Sequence, residues 1–330
     1  MNLKEINSFC EKVGNNRFLT QAAGGNVSLK VGNSIYVKAS GTWLAHANKQ
    51  NIFAKLDYEL IKSRIENRIL SIPEEAIKDK SSKPSIETLM HVIMPKSIVV
   101  HLHAITPLAI LVRKDADRIL KEIFRDRKDF AFIEYIRPGE DLARAFINLE
   151  DINNIRIIFL KNHGIVINAD SLEEIESLLN EVTTSISHFL SSRTKTSLVL
   201  KRYEISGYQQ MDMLGLEHFF TVKENFFKIQ KKWALTPDQL VFLGNTPFFV
   251  NSIIDAKKTI NAASPKFIFV YEHGLFFKSD INQTEHAQLV CFMDILSMQD
   301  ELDNLETLCD AQINELIEME SEKYRIKNAL

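Results

Sequence analysis

Residues 97–103 read Ser97-Ile98-Val99-Val100-His101-Leu102-His103, an apolar run ending on two histidines one residue apart. In a β-strand, side chains two apart point the same way, so these imidazoles converge on one face. The run stays largely apolar to Val112 but contains Pro107 and both histidines. A spanning helix needs roughly 20 apolar residues, so this stretch belongs to a protein core.

On either side the period of the pattern changes. Upstream, Pro84-Ser85 opens a predicted helix, with serine as N-cap and Ile86, Leu89, Met90 and Ile93 at helical spacing. Downstream, helical segments are expected near 105–124, a strand over 130–135 and a helix over 139–149. A strand over 156–160 reaches the turn Lys161-Asn162-His163-Gly164, residues 165–168 return, and Ser171 begins a helix to about 192. Towards the N-terminus, 3–13 is amphipathic, and runs 26–31 and 34–39 form a hairpin about Gly32-Asn33. A third strand is expected over 51–56. Residues 59–83 are polar and charged, contain Pro73, and read as a mobile excursion. Interleaved helices and strands, several joined by tight turns, predict an α/β fold with a mixed sheet covered by helices.

The chain has 330 residues, enough for two domains, and its 45% hydrophobic and 25% charged content is that of a soluble globular protein. A net charge of −3 argues against nucleic acid or an anionic membrane as main partner. Cys10, Cys291 and Cys309 are odd in number and widely spaced, as expected of reduced thiols in a cytoplasmic protein. The start, Met-Asn-Leu-Lys-Glu-Ile-Asn, has early charge and no apolar h-region, so no secretory signal is expected. Near 200 the character shifts to aromatic-rich helical sequence, then strand-like runs at 239–243 and 266–270, then an acidic helical end over 283–325. The expected division is 1–205 as a metal-binding domain and 206–330 as a smaller α/β domain of unassigned role.

One internal echo crosses that division. Ile157-Ile-Phe-Leu-Lys-Asn-His163-Gly164 is matched by Phe267-Ile-Phe-Val-Tyr-Glu-His273-Gly274, and Met94-Pro-Lys-Ser-Ile-Val more faintly by Thr236-Pro-Asp-Gln-Leu-Val. Either the second domain is a shortened, metal-free relative of the first, or both are ordinary hairpins. A different strand order around 267–278 would exclude the former.

The chemistry concentrates on few residues. Two buried histidines side by side leave polar nitrogens to satisfy, at a cost of a few kcal/mol if unmet. Either hydrogen bonds within the core or a divalent ion, which takes neutral imidazole as ligand, resolves this. His163 ends another apolar strand beside a glycine that permits close approach, and three histidines with an open position suit catalytic zinc and its neighbours. Glu87 lies near the start of the helix before the His101 strand. There it either caps the helix or serves a metal site as ligand or base. His91 follows one turn later on the same helix face, as a support for Glu87 or a core residue. His46, His188, His218, His273 and His286 lack histidine partners and are expected to carry no chemistry. The segments Gly24-Gly25-Asn26-Val27-Ser28 and Ser40-Gly41-Thr42 offer amides and hydroxyls to an anion such as phosphate, yet form neither a Walker loop nor a dinucleotide fingerprint.

Taken together, Gly25-Asn26-Val27-Ser28, Ser40-Gly41-Thr42, Pro84-Ser85-Ile86-Glu87-Thr88-Leu89-Met90-His91, His101-Leu102-His103 and Asn162-His163-Gly164 resemble the class II aldolase/adducin family in order and spacing, over roughly 5–195. The resemblance implies a three-layer α/β/α sandwich with a mixed, largely antiparallel sheet. It implies a divalent metal, zinc foremost and manganese or cobalt as alternatives, on His101, His103 and His163, with Glu87 moving the proton. It also implies a phosphate site of Asn26, Ser40, Gly41, Thr42 and Ser85, and a homo-oligomer. The family's ribulose-phosphate epimerases usually carry aspartate where this chain has Glu87, which favours carbon–carbon chemistry.

Two departures stand out. Ile86 replaces a second serine common in the family's aldolases. The tyrosine that some of them supply after the His-x-His strand has no clear counterpart, Tyr135 being a poor one. The region beyond 205 more loosely resembles longer members related to rhamnulose-phosphate aldolase/lactaldehyde dehydrogenase fusions, through Pro237–Gly244 and Glu322-Lys-Tyr-Arg325. The expected activity is that of a metal-dependent aldolase, cleaving or forming a carbon–carbon bond in a ketose or ketose phosphate through a metal-stabilised enediolate. No lysine is required as a nucleophile, neither Lys83 nor Lys161. The alternatives are epimerisation, decarboxylation or dehydration on the same metal, or a non-catalytic adducin-like scaffold.

Overall fold

Among the described residues, strands β1 (Asn26–Val31), β2 (Ser34–Lys38), β3 (Phe53–Asp57), β4 (Ile98–Leu102), β5 (Phe130–Ile133), β6 (Ile157–Leu160) and β7 (Gly164–Ala169) form one sheet of order β3-β2-β1-β4-β7-β6-β5. Every pairing is antiparallel except β5 with β6. The computed structural model describes residues 2–79, 81–190, 200–212 and 215–329. The last two positions of the helix expected over 171–192 lie outside them.

Alternation along the strands builds two cores. Ile98, Val100 and Leu102 of β4 join Val27, Leu29, Ile165 and Ile167 on one face, under helices Leu3–Gly14, Ile105–Leu111 and Leu172–Leu190. Val99, Ile158, Leu160 and Val166 point the other way, against Met90, Leu142 and Phe146 of helices Thr88–Ile93 and Glu140–Ile147. Each fully buried aliphatic side chain contributes about 1.5–3 kcal/mol relative to exposure. The result is the expected three-layer α/β/α sandwich with a mixed, largely antiparallel sheet. Among the described residues no helix is long and apolar enough to cross a membrane.

Three local expectations are corrected. The excursion expected over 59–83 is ordered as far as Ile77: Asp57 caps helix Tyr58–Glu66 through Leu60 N (3.0 Å), Ile61 and Ile65 bury, and Ile77 bridges to Leu56. Ile61 and Ile65, one turn apart and flanked by the partly buried Tyr58 and Leu60, dock a helix that otherwise carries Glu59, Lys62, Arg64 and Glu66. The helix expected from Ser85 begins at Thr88; Ser85 instead turns back, its Oγ accepting from Glu87 N (3.2 Å). The strand expected over 239–243 is helix Pro237–Leu243, because Thr236 caps it and Pro237 occupies its first turn, a start signal stronger than the β-propensity of a short run.

A second sheet holds β8 (Tyr208–Gln210), β9 (Phe248–Val250), β10 (Phe267–Val270) and β11 (Gly274–Lys278) in the order β8-β11-β10-β9. It repeats β4-β7-β6-β5 of the first sheet in order and sense: β9 runs parallel to β10 as β5 does to β6, and the other neighbours are antiparallel. The hairpin register is shared too, Leu160↔Gly164 matching Val270↔Gly274 and Ile157↔Ile167 matching Phe267↔Phe277. The echo is therefore structural, with one correction. The counterpart of β4 is β8, not the stretch after Thr236. Gln210 takes the register position of His101, opposite Phe276 as His101 is opposite Val166. Its Nε2 donates to the carbonyl of His273, so the second copy offers no histidine pair.

Candidate active site

The site assembles at the ends of β1 and β4, where alternation places Asn26, Ser28 and His101 on the face covered by helix 88–93. His101 is fully buried, its Nδ1 3.0 Å from the Ile165 carbonyl, which leaves Nε2 directed inward. That nitrogen lies 3.1 Å from His103 Nε2. His163 joins them from the β6–β7 turn, and the ligand atoms of the three imidazoles lie within 4.8 Å of one another. Gly164 makes this approach feasible, since a Cβ there would sit 2.4 Å from the Leu102 carbonyl.

Glu87, at the start of helix 88–93, faces the cluster. Asn26 Nδ2 donates to its Oε2 (2.6 Å), which lies 3.6 Å from His101 Nε2. Its Oε1 has no hydrogen-bond partner and lies 3.4 Å from His163 Nε2. Burial pushes the pKa of His101 down, and Glu87 only partly counters this; His163 is held well below the ordinary imidazole range by burial and then by His101. Neutral imidazoles are the form that ligates metal. Converging inward nitrogens and an unsatisfied carboxylate oxygen beside them fit a divalent ion of the zinc type.

Not every residue of the expected anion site is free for that task. Ser40, Gly41 and Ser85 line the same cavity, which measures about 30 Å³. Asn26 is committed to Glu87. Thr42 faces a neighbouring cavity of about 700 Å³ that shares Ser40 and Gly41, and its hydroxyl donates to the Ala39 carbonyl. His91 bonds Ser28 (2.8 Å), and its side chain makes no bond to Glu87. Tyr135 lies outside the residues lining this cavity.

Sequence reasoning missed Lys38, Asp238, Glu322 and Arg325, all part of the same cavity wall. Lys38 Nζ donates to the Ala23 carbonyl (3.0 Å), and burial, reinforced by Arg325, lowers its pKa to about 7. Burial pushes the Glu322 carboxyl up. Asp238 is pushed up by burial but pulled further down by Arg325 and His103, so that it stays well below the carboxylate range. A lysine closing a strand that otherwise reads as half-buried was the one available signal; the other three lie on helices far along the chain.

Residues 4–187 match the model of the Class II Aldolase and Adducin N-terminal domain. The chain belongs to this family. Among curated proteins it is 25% identical over 213 residues to the uncharacterized oxidoreductase YuxG of Bacillus subtilis (strain 168), a match covering 58% of this chain and 30% of that one. The chain thus spans under a third of the length of that relative. Among solved structures, the N-terminal class II aldolase domain of a conserved protein from Thermoplasma acidophilum is 21% identical with a TM-score of 0.49, covering 58% of this chain and 94% of that one. The L-fuculose-1-phosphate aldolase from Thermus thermophilus is 18% identical at a TM-score of 0.41, covering 58% and 96%. The family match ends at residue 187, before β8, so Asp238, Glu322 and Arg325 lie outside it.

Proposed function

We propose that the chain is a metal-dependent carbon–carbon lyase that cleaves or forms a bond in a ketose or ketose phosphate. His101, His103 and His163 hold the ion, zinc foremost with manganese or cobalt as alternatives, and Glu87 acts as acid/base. The observation that carries this reading is the free Oε1 of Glu87, buried and unpartnered, 3.4 Å from His163 Nε2.

A divalent ion, when bound, supplies Lewis-acid polarisation of a substrate carbonyl. The chain's own residues do the rest. Asn26 fixes one oxygen of Glu87 and leaves the other to take or return a proton at the substrate carbon next to the carbonyl. Ser85 holds the Glu87 amide, so the carboxylate enters the site at a set angle. Ser40, Gly41 and Ser85 are the groups left to receive a phosphate or hydroxyl, with Lys38 Nζ as the nearby amine, and Ile86 removes one hydroxyl donor. The burial of the three histidines and Glu87 excludes bulk water from the proton transfer. A cytoplasmic setting and a homo-oligomer belong to the same reading; Cys10, Cys291 and Cys309 are free thiols, consistent with the former.

The test is elemental analysis of purified wild type and a His101→Ala/His103→Ala variant, followed by product analysis with sugars and sugar phosphates. About one zinc, manganese or cobalt per chain, lost in the variant, and two carbonyl fragments from one ketose are the expected results. Glu87→Gln should lower turnover by about 10²–10⁴-fold while keeping the metal. A wild type that stays metal-free after incubation with zinc would favour a scaffold. An isomer or carbon dioxide as product would replace aldol cleavage with epimerisation or decarboxylation.

A further inference from the structure

Two residues outside the family-matched segment reach the histidine cluster. Asp238, in the first turn of helix 237–243, places Oδ2 3.0 Å from His103 Nδ1. Arg325, near the end of the chain, grips both oxygens of that carboxylate, at 2.6 Å from Oδ1 and 2.8 Å from Oδ2. All three side chains are largely sealed from water, with exposures of 7%, 4% and 16% for His103, Asp238 and Arg325. Gly24 lies against their meeting point. A Cβ on it would stand 2.9 Å from Asp238 Oδ2, 2.9 Å from the Gln21 carbonyl and 3.1 Å from His103 Nδ1. Gly24 is not among the residues of positive φ, so crowding rather than backbone conformation accounts for the missing side chain.

Two chemical facts give the arrangement a purpose. An imidazole that donates its outer N–H to a carboxylate is fixed in tautomer and ring orientation and becomes a more basic ligand through the inner nitrogen. A buried ion pair adds little net stability, because desolvation offsets the attraction, so stability alone does not explain an Arg–Asp pair here. Arg325 also contacts Glu322 at 3.3 Å. With two carboxylates on it, the guanidinium is not a free cation for substrate.

We propose that Asp238 and Arg325 are positioning residues for the candidate metal site: Asp238 accepts the outer N–H of His103 and directs Nε2 inward, and Arg325 holds Asp238 on that line. The second half of the chain thereby completes a site whose ligands all lie in the first. This rests on the metal reading above.

The experiment titrates cobalt(II) into full-length wild type, Asp238→Asn and Arg325→Gln. It reads affinity by competition with a chelating dye, and the ligand-field band in the visible spectrum. Asp238→Asn should bind cobalt about 10–100-fold more weakly and shift the band, and Arg325→Gln should move both readouts the same way by less. A merely structural role would lower the melting temperature yet leave the band and the affinity in place. Should Asp238→Asn fail to fold, Arg325→Gln and Gly24→Ala, which crowds the contact without removing either partner, decide. Wild-type affinity within twofold and an unshifted band in every folded variant overturn the proposal alone. A wild type that takes up no cobalt overturns the metal reading and this inference with it.

Discussion

Lys38 is the residue most at odds with its surroundings. It closes β2, is 2% exposed, and its ammonium donates to the Ala23 carbonyl. Burial lowers its pKa to about 7 from an ordinary 10.5, with Arg325 adding to the fall and Asp238 and Glu87 opposing it. Between those pH values the unfolded chain binds the proton that the folded one has released, so this residue makes stability rise with pH across the window. Lys38→Met should flatten that rise. Denaturant midpoints of chelator-treated wild type and variant, measured at several values from pH 7 to 10.5, provide the check; parallel curves would refute it. At this scale the sequence was legible for the histidine cluster. His101 sits in β4, where alternation sets its direction, while His103 follows the end of that strand and His163 lies in the β6–β7 turn, marked by Gly164. It was barely legible for Lys38: its place at the end of a half-buried strand is the only local hint, and a lone lysine in a strand is ordinarily a solvated one.

Among elements, the terminal helix Glu320–Ala329 bears most directly on access. It carries Glu322 and Arg325 into the wall of a cavity of about 30 Å³, room for little more than a water molecule. The adjoining cavity, about 700 Å³, is large enough for a sugar phosphate and meets the first at Ser40 and Gly41. Tyr324, on the same helix, lies under the Lys83 ammonium at 4.5 Å, in the lining of the outer cavity. A substrate reaching Glu87 from that side passes this helix, half of whose residues are charged. Its amides should therefore exchange with deuterium faster than those of β4, and slow when a ketose-phosphate analogue binds. Equal protection in β4 and the helix, unchanged by the analogue, would show that the site opens elsewhere. The elements read correctly from sequence are those with a clean period and a turn signal, such as the β1–β2 hairpin and β6–β7. Helix 58–66 was misread because its apolar face is narrow and docking decides such a segment; helix 237–243 was misread because the Thr236-Pro237 start signal outweighs the β-propensity of a short run.

For the whole molecule, the segment following β4 belongs to the cores of both halves. Ile105, Leu108 and Val112, from the helix following β4, pack with Phe292, Leu296 and Leu305 of the second half. Asn162, beside His163, donates to the carbonyls of both Leu235 (2.9 Å) and Glu306 (2.8 Å). A division after residue 205 is thus a proposal about where one sheet gives way to the next, and it carries an expectation. A chain ending at 205 would expose those three side chains, each worth about 1.5–3 kcal/mol when buried, and would lack Asp238 and Arg325. It should elute as aggregates, bind a hydrophobic dye and hold cobalt poorly. A monodisperse, metal-binding fragment would show that the first half is self-sufficient.

By itself the sequence determined the strand that carries His101, the turn that carries His163 beside Gly164, and the repeated hairpin, because each is written within a short consecutive stretch. The tertiary structure alone decided that Asp238 and Arg325 stand against His103, that Lys38 is sealed inside, and that the second sheet repeats the first without its histidine pair. Those outcomes join residues many tens of positions apart, where no local periodicity records the contact and only the packing of one half on the other brings the charges together.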